Sequence, residues 1–180
     1  MQETFDILDT KGRHTGKVAT RDECHQSGHW HKAVAIFIIN SKNQVLLQKR
    51  SNSKKLWPGM WDVSAGGHVL AGEFGFQAVM RECEEELGVK LDKNDITFVG
   101  ATTSTNLKGD VINNHFNEYY IVHKDLDPLT LKLQTEEVSE VKWIDRAEII
   151  RRIQNHYEGI TDKEGCWEYL IEYYKWRQNQ

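Results

Sequence analysis

The sequence predicts an α+β protein in which a mixed β-sheet is sandwiched between α-helices, on two observations. Apolar, β-branched runs of strand length stand both before and after one helix-spaced segment near the middle of the chain. A second group of helical spacings then closes the chain after Asp145.

In order, Phe5 to Leu8 alternates as an edge strand, and Asp9 to Gly16 reads as turn and loop, punctuated by Gly12 and Gly16. Arg21 to His31 contains Cys24, His25, His29 and His31, and reads either as a loop with exposed imidazoles or as a source of metal ligands. Ala33 to Ile39 is a continuous apolar run that ends in NSKN, and Gln44 to Leu47 resumes it, which together predict a buried hairpin. The strand leads into a basic patch of Lys49, Arg50, Lys54 and Lys55, suited to a diphosphate or to solvent. Leu56 to Ala65 holds a Pro-Gly turn and a short strand, with Trp57 and Trp61 as core or cleft wall.

Gly66, Gly67 and Gly72 predict a flexible loop whose N–H groups suit an anion near a helix start. Phe76, Val79, Met80, Cys83 and Leu87 then fall at helical spacing, and Gly88 supplies the stop. Ile96 to Thr103 and Glu118 to His123 read as strands separated by a polar loop that could set specificity. Val138 to Ile144 is a further strand, and Asp145 with Glu148 makes a capping box for a helix through about Ile153. Trp167, Leu170, Ile171 and Tyr174 mark the buried face of a last helix.

The chain has 180 residues, 39% hydrophobic and 28% charged, which predicts one domain over 1–180 with its own core. Its net charge of -4 argues against a nucleic-acid groove. No apolar run approaches a membrane span and the opening MQETFDILDT lacks a signal-peptide core, so a cytoplasmic location is expected. Cys24, Cys83 and Cys166 lack CxxC spacing, which points away from a disulfide framework.

Glu82, Glu85 and Glu86 stand at i, i+3 and i+4 beside the apolar stripe, with Glu84 nearby. Like charges at this spacing repel, and the last turn of a helix already presents negative charge. A divalent cation removes both penalties, and Mg²⁺ prefers hard carboxylate oxygens while sharing its coordination with substrate phosphates. The alternative is an acidic solvated face.

Gly67, Glu73, Arg81, Glu82, Glu85, Glu86 and Gly88, with apolar Cys83 and Val89, are similar to the Nudix box G-x5-E-x7-R-E-U-x-E-E-x-G-U over 67–89. The resemblance implies the Nudix fold, with an N-terminal strand and loop segment over 1–31 and C-terminal helices over about 145–178. It also implies metal-dependent attack of water on phosphorus of a nucleoside-diphosphate derivative or related diphosphate. On that pattern Glu82, Glu85 and Glu86 hold Mg²⁺ or Mn²⁺, aided by a carbonyl of Gly66 or Gly67. Arg81 and Glu73 orient them, and a box glutamate such as Glu85, or else Glu118, serves as base.

A finer resemblance, from His31 through WHKAVAIFIIN, LLQKRS and KKLWPGMWDVSAGGH, is to the subfamily of type 1 isopentenyl-diphosphate isomerase. It implies that Arg50, Lys54, Gly67 and His68 contact substrate, and that His25, His31, His68 and Glu118 form a second metal site. The isomerase's cysteine, however, is matched by Gly66, and Phe116 stands where its other metal-binding glutamate would be. Hydrolysis is therefore expected over isomerisation, with a silent binding module as a third class. The expected partner is a small diphosphate, with a homodimer left open and neither nucleic acid nor membrane.

Overall fold

The computed structural model describes residues 2–109, 111–161 and 165–178. Strand β3 (Trp30–Ile39) is the spine of the sheet. Its run from Val34 to Ile39 is buried throughout, as expected of a strand covered on both faces. One edge of β3 pairs in parallel with β8 (Val111–His123) along its whole length, from Trp30↔Asn114 to Ile39↔His123. Its other edge is shared by β1 (Thr4–Leu8), β6 (Ala65–His68) and β4 (Gln44–Arg50). The sheet is completed by β2 (His14–Thr20), β5 (Trp61–Asp62), β7 (Ile96–Lys108) and β9 (Val138–Asp145), giving nine strands among the described residues.

Period-two alternation sends the two faces of β3 into separate cores. Val34, Ile36 and Ile38 pack with Ala78, Val79, Cys83 and Leu87 of helix α2 (Gly75–Leu87). Ala35, Phe37 and Ile39 pack instead with Ile149 of α3 (Arg146–Gln154) and with Trp167, Leu170 and Tyr174 of α4 (Cys166–Gln178). The expected sheet between helical layers is present. Cys24, Cys83 and Cys166 are free and buried, and among the described residues no helix is long and apolar enough to cross a membrane.

Several local expectations are corrected. His14 already begins β2, so the turn after Asp9 is shorter than its glycines suggested. The segment expected as a loop folds as helix α1 (Arg21–Ser27), because Thr20 and Glu23 form a reciprocal capping box and Gly28 closes it in the left-handed region. Residues 104–117, expected as a polar loop, continue β7 and β8 as one long hairpin, with Asn106 opposite Asn113. Asp145 does not cap α3 with its side chain; it accepts a hydrogen bond from Gln44 Nε2 at 2.9 Å, while Glu148 binds Arg151 and Arg152. The glycines at 66 and 67 are a strand rather than a loose loop, pairing with Ala35 and Val34.

Candidate active site

The second half of α2 lies against β6, and the two glycines there allow close contact. A Cβ on Gly66 would stand 2.7 Å from the Val34 carbonyl oxygen, and one on Gly67 would fall on the Glu82 carboxylate. Glycine is therefore required at both positions by approach rather than by a turn.

Arg81 organises the acids. Its Nε and one terminal nitrogen donate to the two oxygens of Glu73 at 3.1 and 3.0 Å, and the same terminal nitrogen reaches the His68 carbonyl at 2.8 Å. The other terminal nitrogen donates to Glu82 at 2.7 Å and to Glu85 at 3.1 Å. Glu73, just ahead of α2, also accepts from the Leu70 amide at 2.9 Å, which fixes the anchor itself. Burial works against the Arg81 charge, but its bonds to Glu73 and Glu82 outweigh that and hold the guanidinium more firmly protonated than usual.

Glu82 and Glu86 are buried, whereas the Glu85 side chain is 53% exposed. Burial raises the Glu82 carboxyl to about 6, against the pull of Arg81. Burial, reinforced by the neighbouring Glu82 charge, raises Glu86 to about 8, although its carboxylate accepts from the Gly66 amide and from Gln48 Nε2, each at 3.1 Å. Arg81 and the Gly66 amide each engage one oxygen of these acids, and all three acids border the cleft. Clustered hard oxygens with raised proton affinity are what a divalent cation relieves, so the residues present fit Mg²⁺ or Mn²⁺.

The four imidazoles of His25, His31, His68 and His115 converge, with one ligand atom of each within 4.8 Å of all the others. His31 Nδ1–H donates to the His29 carbonyl at 2.8 Å, which leaves Nε2 as the lone-pair nitrogen. The Nε2 atoms of His25 and His31 are buried without a hydrogen-bond partner. Phe5 stacks on His31 and His68 at 5.0 and 4.7 Å between ring centroids. Burial disfavours the charged form of three of these rings, taking His31 to about 4, His68 well below its ordinary value and His25 lower too.

Glu118 is not among them. The alternation of β8 turns it to the α2 face, where Lys32 Nζ donates to it at 2.8 Å and the Tyr120 hydroxyl at 2.6 Å. Its carboxylate packs against Gly75 at the start of α2, so the expectation that it serves the histidine set or the water is corrected to a structural strut. His115, three residues earlier, takes its place. The signal was the alternation of NNHFNEYY, unreadable while that segment was assigned to a loop.

Acids and histidines border one cleft of about 310 Å³, within the range of small-molecule sites. Arg50 and Lys54 line it, and each already holds a carboxylate. Arg50 binds buried Asp62 at 2.9 Å and the Leu56 carbonyl at 3.1 Å, and Lys54 binds Glu137. Trp57 forms cleft wall, while Trp61 packs on the core. Asn106, Asn113 and Asn117, from the segment expected to set specificity, also border the cleft, together with Arg21 and Ser104, which sequence reasoning had not singled out.

This layered sheet, with a helix that carries Arg81, Glu82, Glu85 and Glu86, belongs to a chain matched by the NUDIX domain pattern over residues 29–163, and the chain belongs to the Nudix hydrolase family. It is 43% identical over 149 residues to Nudix hydrolase 3 of Arabidopsis thaliana, covering 79% of this chain but only 19% of that protein's length. The isopentenyl-diphosphate Delta-isomerase of Escherichia coli O127:H6 is 32% identical over 123 residues, 68% of this chain and 66% of that one. A crystal structure from Deinococcus radiodurans superposes with a TM-score of 0.67 at 23% identity, over 85% of this chain and 90% of that chain.

Proposed function

We propose that this chain hydrolyses a phosphoanhydride bond in a nucleoside-diphosphate derivative or related diphosphate, with Mg²⁺ or Mn²⁺ held by Glu82, Glu85 and Glu86. The observation that carries this reading is the buried pair Glu82 and Glu86, which border one cleft with Glu85 and are oriented by Arg81 and the Gly66 amide. The bound ion would supply charge neutralisation at the phosphoryl oxygens and acidify the attacking water. Arg81 fixes the directions of Glu82 and Glu85 and is itself anchored by Glu73. Glu85, the most exposed of the three, has the access to solvent that a proton acceptor for water needs. Arg50 and Lys54 place positive charge on the cleft rim for the substrate phosphates, and Gly67 and His68 line its floor. The free cysteines suit a reducing, cytoplasmic setting.

The test is release of phosphate-containing products from nucleotide sugars, dinucleoside polyphosphates and nucleoside di- and triphosphates with either ion. Glu85→Gln and Glu86→Gln are each expected to remove most turnover, and normal turnover in both variants would sink the assignment. Gly66 stands where the isomerase needs a cysteine, so isopentenyl diphosphate in deuterated water should gain no label; deuterium incorporation would favour isomerisation instead.

The four-histidine cluster supports a second proposal, a separate metal site made by His25, His31, His68 and His115. Four convergent imidazoles favour borderline ions such as Zn²⁺ over Mg²⁺. Elemental analysis after dialysis against Zn²⁺ should find an ion that His31→Ala loses, and unchanged metal content in that variant would contradict the site.

A further inference from the structure

Helix α2 orients only two of its three cleft acids from within. Arg81 donates to Glu82 at 2.7 Å and to Glu85 at 3.1 Å, and its remaining bonds go to Glu73 and to the His68 carbonyl. Glu86, the most deeply buried of the three, is held from the sheet instead. Gln48 Nε2 and the Gly66 amide both donate to its Oε2, each at 3.1 Å, and among the described residues no hydrogen bond falls on Oε1. Two donors on one oxygen restrain the rotation of the carboxylate and leave its other oxygen to a cation.

Gln48 is an expensive residue where it stands. Along β4, Val45 and Leu47 enter the core under α3 and α4, and Leu46 enters the core under α2, so Gln48 follows Leu46 onto the α2 side. It is 3% exposed, and its carbonyl Oε1 is buried with no hydrogen-bond partner. A buried amide with an unpaired carbonyl is a burden on the fold that an apolar side chain of the same shape would not impose. Its backbone is paired on both edges, with Asp62 of β5 and Val141 of β9, so the amide is delivered to Glu86 from a rigid strand. The bond to Glu86 is what the position gains by being glutamine.

We propose that Gln48 is a positioning residue for the metal site, holding Glu86 with Oε1 presented to the cation as Arg81 holds Glu82 and Glu85. This rests on the reading of Glu86 as a metal ligand.

The test is Mn²⁺ titration of Gln48→Met, an unbranched apolar substitute of similar length, alongside Glu86→Ala and the double variant. Gln48→Met should bind Mn²⁺ about 10–100-fold more weakly, as loss of a ligand-orienting partner usually does. Its metal-free denaturant midpoint should be no lower than that of the wild type, because the unpaired carbonyl goes with the amide. The metal concentration for half-maximal turnover of a nucleotide sugar should rise by the same factor, with turnover at saturating metal reduced far less. Added to Glu86→Ala, the substitution should weaken Mn²⁺ binding no further, since the group it orients is already gone. Loss of folding or a lower midpoint in Gln48→Met, unchanged Mn²⁺ affinity, or an additive loss in the double variant overturns the positioning role. Unchanged Mn²⁺ affinity in Glu86→Ala instead overturns Glu86 as a ligand, and the proposal with it.

Discussion

Single residues set the pH response, and two groups pull in opposite directions. The Glu86 carboxyl lies at about 8 in the fold against an ordinary 4.5, so between those values the native state holds more protons than the unfolded chain. Stability of the metal-free protein must then fall as pH rises through that window, with the penalty complete above it. His31 lies at about 4 against an ordinary 6.5, so there the unfolded chain binds more protons and stability is lost as pH falls below 6.5. Calorimetry of metal-free protein should therefore show a melting temperature that peaks in the mildly acidic range. Glu86→Gln should flatten the alkaline side alone, and saturating Mg²⁺ should lift it in the wild type, because the cation replaces the proton. Arg81 has a different signature. It contacts Glu73, Glu82 and Glu85 at once, so Arg81→Gln is expected to weaken metal binding roughly 10–100-fold, as loss of a ligand-orienting group usually does. Titration calorimetry with Mn²⁺ would read that loss.

At the scale of elements, the two adjacent glycines of β6 separate packing from function. Gly66→Ala would press a methyl group against the Val34 carbonyl and should cost about 1–3 kcal/mol of stability in denaturant unfolding. Gly67→Ala meets the carboxylate of Glu82 instead, so its expected signature is weaker metal affinity with a smaller loss of stability. What was legible in the sequence follows the same division. Helix α2 and its acids were readable because apolar spacing, the Gly88 stop and the fixed box positions agree with one another. The outer hairpin was not, because Asn and Thr strands held by cross-strand bonds such as Thr105 Oγ1 to Asn114 carry no hydrophobic period. Helix α1 was missed although Thr20 and Glu23 spell its capping box, since its buried side contains one apolar residue, Cys24. With those two elements misread, His115 and the orientation of Glu118 could not be placed.

Over the whole molecule, β3 separates a core under α2 from a core under α3 and α4, and the cleft borders both. The second core is anchored by fully buried Trp167, whose indole N–H donates to the Thr161 carbonyl at 2.7 Å. Trp167→Ala should cost about 3–5 kcal/mol, read by denaturant unfolding, because cavity and lost transfer energy add. The acids, held by Arg81 and β6 on the other side of the sheet, should still bind a cation in whatever fraction remains folded. The central claim is that these acids, not the histidines, hold the ion that drives hydrolysis. Mn²⁺ binding followed by electron paramagnetic resonance tests it directly, in His25→Ala/His31→Ala and in Glu82→Gln/Glu86→Gln, alongside turnover of a nucleotide sugar. The account predicts that the histidine variant keeps a bound Mn²⁺ and its turnover while the glutamate variant loses both; retention of Mn²⁺ and turnover in the glutamate variant would contradict it.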